Sequence, residues 1–165
     1  MPAEPAVELR PATWADDREA LQSVRRRVFI EEQGIPESEE WDDIDPAARH
    51  VLAFAKNRDA IGTGRLEPTG KIGRVAVLPQ YRGTGVGRRI MVHLVNHATE
   101  SGFTKVYLHA QAGAAGFYAR LGFRAEGPVF DECGIPHLRM TLGITGQDGI
   151  ESGRRGHEEH PLDAR

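Results

Sequence analysis

Apolar residues recur along the chain with two periods, near two and near 3.6, and these divide it into alternating strands and helices. Val7-Glu8-Leu9-Arg10 alternates and predicts a short first strand, ended by Pro11. Thr13 has the chemistry of an N-cap, with Asp16 favourably placed in the first turn. Ala20, Leu21, Val24 and Val28 then follow at helical spacing, so a helix is expected over about 14–29. Periodicity weakens over 30–47, which reads as a short helix or loop. The apolar run 50–55 reads as a buried strand, and Asn57-Arg58-Asp59 as a turn. Strands over 60–67 and 71–78 flank Pro68-Thr69-Gly70 as a hairpin.

The clearest helix comes next. Gly87, Ile90, Met91, Leu94, Val95 and Ala98 share one face, and Gly102 is placed to stop the helix. A strand over 105–110, a short helix over 112–121 and strands over 123–130 and 137–142 complete the pattern. The order is mixed α/β, with an antiparallel front half and a strand–helix–strand unit near 71–110. Residues 143–165 carry few large apolar side chains and are expected to form a flexible tail after a single domain over 1–142.

Composition narrows the function classes. The chain has 165 residues, with 39% hydrophobic and 27% charged, enough apolar material for one soluble core. A formal net charge of −3 gives no support to nucleic-acid binding. The single cysteine, Cys133, excludes an internal disulfide and a multi-cysteine zinc site, and as a lone cysteine it is expected to be a small core residue. No run reaches membrane-spanning length, and the N-terminus lacks a signal-peptide pattern, so a cytoplasmic protein is expected. No metal is expected, because Asp45 and His50, or Asp131, Glu132, Cys133 and His137, lack a specific ligand spacing.

Residues 78–90, LPQYRGTGVGRRI, place three glycines between a strand and a helix. Such a junction presents backbone N–H groups at a helix N-terminus, where they and the helix dipole favour an anion. The spacing is neither a P-loop, which needs a lysine after the glycines, nor Gly-x-Gly-x-x-Gly. Gln80-Tyr81-Arg82-Gly83-Thr84-Gly85 fits Gln/Arg-x-x-Gly-x-Gly/Ala at every fixed position. This segment resembles motif A of the GNAT superfamily, the GCN5-related N-acetyltransferases. The run 115–123, AGFYARLGF, resembles the family's next helix–strand junction. The segments 28–33, Asp45 with His50, 109–111, and 130–137 (FDECGIPH) are similar to its ElaA/YjcF-like branch. Together these cover about residues 7–142.

The resemblance implies a GNAT fold, an α+β domain with a mixed sheet of about six to seven strands flanked by helices and splayed at the acetyl-CoA site. It implies transfer of acetyl from acetyl-CoA directly to a primary amine of a small molecule or peptide. It also implies that Val75, Val77 and Leu78 lie along the pantetheine arm, and that Arg82, Gly83, Thr84, Gly85, Val86 and Gly87 hold the pyrophosphate. Tyr118 matches the position that protonates the departing thiolate in many members and lies at the cofactor. Three residues compete for the base that deprotonates the amine: Glu32, His109 and His137. A non-catalytic acyl-CoA-binding module and a nucleotide-binding protein are the alternatives. A homodimer is an expectation by analogy with the superfamily.

Two charge features stay open at this level. Residues 31–45 contain eight acids and no lysine or arginine, which reads as a solvated loop or as a surface that steers a cationic amine. Arg25-Arg26-Arg27 reads as surface charge or as a contact to cofactor phosphates.

Overall fold

The computed structural model describes residues 6–144, so the expectation of a flexible tail beyond them lies outside the described residues. The chain begins with strand β1 (Glu8–Ala12) and helix α1 (Trp14–Arg25), which runs on as a π-helical segment, Arg26–Glu32. Thr13 caps α1 as its chemistry predicts, its Oγ1 accepting from the Asp16 N–H at 3.1 Å. Pro11 does not end β1. β1 pairs on one side only, with Pro11 opposite Val51, and an edge strand tolerates a residue that lacks an N–H.

A short helix α2 (Glu37–Glu40) and a 3₁₀ turn (Asp45–Ala47) lead to strands β2 (Arg49–Phe54), β3 (Ala60–Leu66) and β4 (Ile72–Val77). Helix α3 (Val86–Glu100), strand β5 (Lys105–Gln111), helix α4 (Ala115–Arg120) and strands β6 (Arg124–Glu132) and β7 (Ile135–Gly143) follow. The last strand extends to Gly143 and Ile144 is fully buried, so the packed body reaches just past the sequence boundary at 142.

The seven strands form two antiparallel blocks, β1-β2-β3-β4 and β5-β7-β6. They meet where Lys71 bridges Tyr107 in parallel, with the Tyr107 N–H donating to Gly70 O at 3.1 Å. From that bridge β4 and β5 run on side by side without a ladder, which is the expected splay. A bulge contributes to it. Between the pairs Thr63–Ala76 and Arg65–Gly73 the β4 side carries one extra residue, and Arg74 there has φ +52°. A bulge bends its strand and breaks its pairing, here in the middle of β4.

The apolar core packs α3 against the sheet and takes in Val24 of α1 and Val28 and Phe29 of the π-helical segment. Ile90, Met91, Leu94, Val95 and Ala98 are its buried face on α3, and Ile90 and Leu94 approach β3 so closely that glycine is required there. A Cβ on Gly64 would lie 2.9 Å from both Ile90 Cγ2 and Leu94 Cδ1. Residues of β3 alternate, so Thr63 and Arg65 face the other side, toward α1.

On that side the structure corrects the charge readings at three residues. Arg25, Glu40 and Asp45 are buried in one network, while Arg27, Glu31, Glu32, Glu37, Glu39 and Asp43 stay exposed. Arg25 Nη1 donates to Asp45 Oδ1 at 2.7 Å and its Nε to Glu40 Oε2 at 3.0 Å. Arg65 from β3 donates to the same Asp45 oxygen at 2.8 Å and to both oxygens of Asp42 at 2.9 and 2.8 Å. Arg74, the bulge residue, pairs with Glu40 Oε2 at 2.9 Å and donates to the Glu40 carbonyl at 3.1 Å. Trp14 and Trp41 lie over the Arg25 guanidinium. The acids at 40, 42 and 45 therefore fix the segment that crosses the sheet and hold the bulge in its strained conformation.

Asp42 titrates in this network. Burial alone would raise its carboxyl, but hydrogen bonding and charge from Arg65, with Arg74, lower it to about 2, from 3.8. The unfolded chain binds this proton at higher pH than the folded chain. The stabilisation is thus complete above the unfolded value and is lost as pH falls toward the folded one. The stability gap between wild type and Asp42→Asn in urea should narrow from about pH 5 to about pH 2. A gap that does not change with pH would remove Asp42 titration as a source of acid sensitivity.

Candidate active site

The opening between β4 and β5 ends at the glycine-rich turn. Along β4, successive amides point to opposite edges. The Leu78 N–H donates to Ile61 O in β3 at 2.9 Å, so it is already used and is not available to a ligand. By the same alternation, the Val77 N–H points away from β3 into the opening.

The turn carries the chain from the end of β4 to the N-terminus of α3. A 3₁₀ turn, Pro79–Tyr81, follows β4. The Arg82 N–H closes it onto Pro79 O at 3.3 Å. Gly83 and Gly85 have φ +75° and +89°. Gly85 is the N-cap of α3, and the Arg89 N–H bonds back to its carbonyl at 3.1 Å. The amides of Val86 and Gly87 precede that bond and belong to the helix's N-terminal donors. A Cβ at Gly85 would meet nothing within 4 Å, so the space over the turn is open. Thr84 Oγ1 is turned inward, donating to Tyr81 O at 2.6 Å.

The arginines near the turn have partners. Arg82 Nε donates to Val77 O at 2.8 Å, and Nη1 and Nη2 fork onto the Glu32 carboxylate at 2.7 and 2.8 Å. This ties the turn, the end of β4 and the π-helical segment together. Arg89 Nη1 donates to Val7 O at 2.7 Å. Glu32 is thus engaged through both oxygens, a poor state for a proton acceptor.

Tyr118 is fully buried in α4, its ring edge-on to Phe117 at 5.0 Å and to Phe123 at 6.1 Å. The two histidines lie elsewhere, on one face of the β5-β7-β6 sheet. His109 and Gln111 on β5 lie opposite Arg139 and His137 on β7, and Phe130 on β6 lies opposite His137. Counted outward from the Lys71–Tyr107 bridge, His109 stands level with Gly73 and Gln111 with Val75, across the opening from the bulge. Gln111 donates to Gln33 Oε1 at 2.8 Å, closing this face against the π-helical segment.

Glu132 joins the histidines. His109 Nδ1 lies 3.2 Å from Glu132 Oε1, and His137 Nε2 lies 3.6 Å from Glu132 Oε2. Burial pushes the Glu132 carboxyl up, but the His109 hydrogen bond and the charges of Lys71, His137 and His109 outweigh it, so the net shift is downward. In the sequence Glu132 stands within a set that lacks metal-ligand spacing, not as a candidate for the acyl-transfer site. Its neighbour Asp131 instead accepts from the Gly134 N–H at 3.2 Å in the hairpin turn. The signal was present in FDECGIPH, but only strand pairing shows which acid reaches which histidine. Cys133, expected in the core, is exposed at that turn with φ +53°. Among the described residues, no group of three or more His, Cys, Asp or Glu side chains is arranged to hold a metal ion, and no helix is long and apolar enough to cross a membrane.

A family model described as Acetyltransferase (GNAT) domain matches residues 18–144, which include both sheets' central strands and the glycine turn. The chain belongs to the GNAT acetyltransferase family. The Bacillus subtilis protein YyaT is 41% identical over 142 residues, 82% of this chain and 95% of its own. The crystal structure of Escherichia coli ElaA superposes with a TM-score of 0.74 at 30% identity, covering 82% of this chain and 98% of ElaA. That of an acyl-CoA N-acyltransferase from Pseudomonas aeruginosa gives 0.74 at 31%, covering 82% and 99%. The ElaA match bears out the branch that the sequence resembles. In this GNAT chain the two blocks of four and three strands carry the acyltransferase architecture.

Proposed function

We propose that this acyltransferase moves an acetyl group from acetyl-CoA to a primary amine, with the cofactor's pyrophosphate on the Gly83–Gly87 turn. The observation that carries the reading is the open turn at the N-terminus of α3, at the mouth of the β4–β5 opening. The P. aeruginosa relative's name, an acyl-CoA N-acyltransferase, supports the donor class.

Acetyl-CoA supplies the thioester whose carbonyl carbon is attacked. The chain's residues divide the remaining work. The amides of Gly83, Gly85, Val86 and Gly87 hold the pyrophosphate, with the helix dipole behind them. The Val77 N–H, aimed into the opening, polarises the carbonyl. His109 takes the ammonium proton of the amine, since Glu32 is held by Arg82 and His137 is fully buried. The amine nitrogen then bonds to the acyl carbon as the C–S bond breaks, and Tyr118 gives its proton to the departing sulfur. The proton shed by the new amide nitrogen restores the Tyr118 hydroxyl, while His109 returns its proton to solvent.

Thermal unfolding with and without acetyl-CoA tests the reading. Acetyl-CoA or CoA at about 100 times Kd should stabilise the protein by about 2.7 kcal/mol, while NAD at the same concentration should not. Gly85→Val should abolish that shift. Its cost to the free protein should be only about 1–2 kcal/mol, because the site has room for the side chain and pays only for φ +89°. An acetyl-CoA shift that survives Gly85→Val would move the pyrophosphate elsewhere. A protein unmoved by either CoA form would contradict the donor assignment.

A further inference from the structure

Glu132 lies between two histidines whose second nitrogens are not equivalent, and this asymmetry assigns their protons. His137 Nδ1 lies 2.7 Å from Ile135 O. A carbonyl oxygen only accepts, so Nδ1 carries the hydrogen. A neutral His137 would then turn the lone pair of Nε2 toward Glu132 Oε2, 3.6 Å away, and two acceptors would face each other. The arrangement is favourable only when a proton lies between them. Glu132 also faces His109 and Lys71 and is favoured as the carboxylate, so the proton belongs on His137.

The other oxygen does the complementary task. Oε1, 3.2 Å from His109 Nδ1, accepts its N–H. His109 then presents Nε2 as a lone pair, and its side chain is partly solvent-accessible where that of His137 has no exposure. Phe130 holds both rings, edge-on to His109 at 5.0 Å and stacked on His137 at 6.0 Å.

We propose that Glu132 is a positioning residue of the acyl-transfer site: one oxygen fixes His109 as the Nδ1–H tautomer with Nε2 ready to accept a proton, and the other holds His137 as a buried imidazolium. The pair His137–Glu132 is thereby close to neutral overall, and His109 is the group of the cluster left to exchange a proton with the acceptor amine. This rests on the reading of His109 as the base. It predicts that the carboxylate is needed for the tautomer of one histidine and the charge of the other.

Histidine ¹⁵N NMR of the full chain near neutral pH tests it, with peaks assigned through His109→Gln and His137→Gln. In wild type, His109 should show a protonated Nδ1 and a bare Nε2, and His137 should show both nitrogens protonated. In Glu132→Gln the amide can donate to His137 Nε2, so His137 should become neutral while His109 keeps its tautomer. In Glu132→Ala, His109 should become a mixture of tautomers and kcat should fall about 10–100-fold with KM for acetyl-CoA unchanged. A neutral His137 in wild type, or a His109 tautomer indifferent to Glu132→Ala, overturns the proposal. Full transfer activity in His109→Gln would overturn the base reading instead, and the spectra separate the two failures because they need no turnover.

Discussion

Tyr118→Phe should lower kcat for acetyl transfer by about 10²-fold or more, while acetyl-CoA affinity stays within a few-fold and the melting temperature is kept. The expectation follows from where the residue sits. Tyr118 is fully buried, and its ring packs edge-on between Phe117 and Phe123, so a phenylalanine ring fills the same space. The substitution removes the hydroxyl with its proton and keeps the ring packing. If that proton protects the leaving sulfur as the C–S bond breaks, its loss acts on the transition state alone and appears in kcat rather than in KM. The effect should shrink for an acyl donor whose thiol leaves more readily, since a better leaving group needs less help from an acid. Single-turnover rates with acetyl-CoA and an activated thioester measure both. A kcat for Tyr118→Phe equal to wild type would reduce Tyr118 to core packing, and the leaving thiolate would then take its proton from water.

The second large effect is on stability. Asp45→Asn should cost about 3–5 kcal/mol, because it removes one charge from a buried network and takes from each of two guanidinium groups one of its counter-ions. Asp45 has no exposure, and its Oδ1 accepts from Arg25 at 2.7 Å and from Arg65 at 2.8 Å. Asparagine keeps the shape but offers one acceptor oxygen and a misplaced NH₂ donor. The loss should also reach the site: Arg25 shares Glu40 with Arg74, whose φ of +52° forms the β4 bulge. Urea unfolding measures the first effect, and acetyl-CoA affinity of the folded fraction the second. A loss under about 1 kcal/mol would show that water or a rearranged Asp42 replaces the missing charge, and that the network is less tightly coupled than its geometry implies.

Local signals were legible where one short segment carries the whole instruction. The N-cap at Thr13, the apolar face of α3 and the stop at Gly102, which has φ +89°, depend on neighbours within a few residues. The glycine turn and the AGFYARLGF junction were legible for the same reason, and with the other matching segments they led to the family. Pro11 misled because a strand's edge or central position is a property of the sheet, not of the segment. The acidic stretch misled at Glu40, Asp42 and Asp45, while its other acids lie exposed. Charge runs face solvent by default, and only the arrival of Arg25, Arg65 and Arg74 from three different elements turns Glu40, Asp42 and Asp45 inward.

The candidate site divides along the same line. The sequence by itself determined the glycine turn, the element order and the list of groups able to carry protons, since each is written in contiguous residues. Only the tertiary structure decided which of those groups can act together. It bound Glu32 to Arg82 across fifty positions and used the Leu78 amide in the β3 ladder. It also brought Glu132 between His109 and His137 through the pairing of β5 and β6 with β7. A hydrogen bond is a matter of ångströms and angles, and strands far apart in sequence acquire these only when register and bulges are set by the packed sheet.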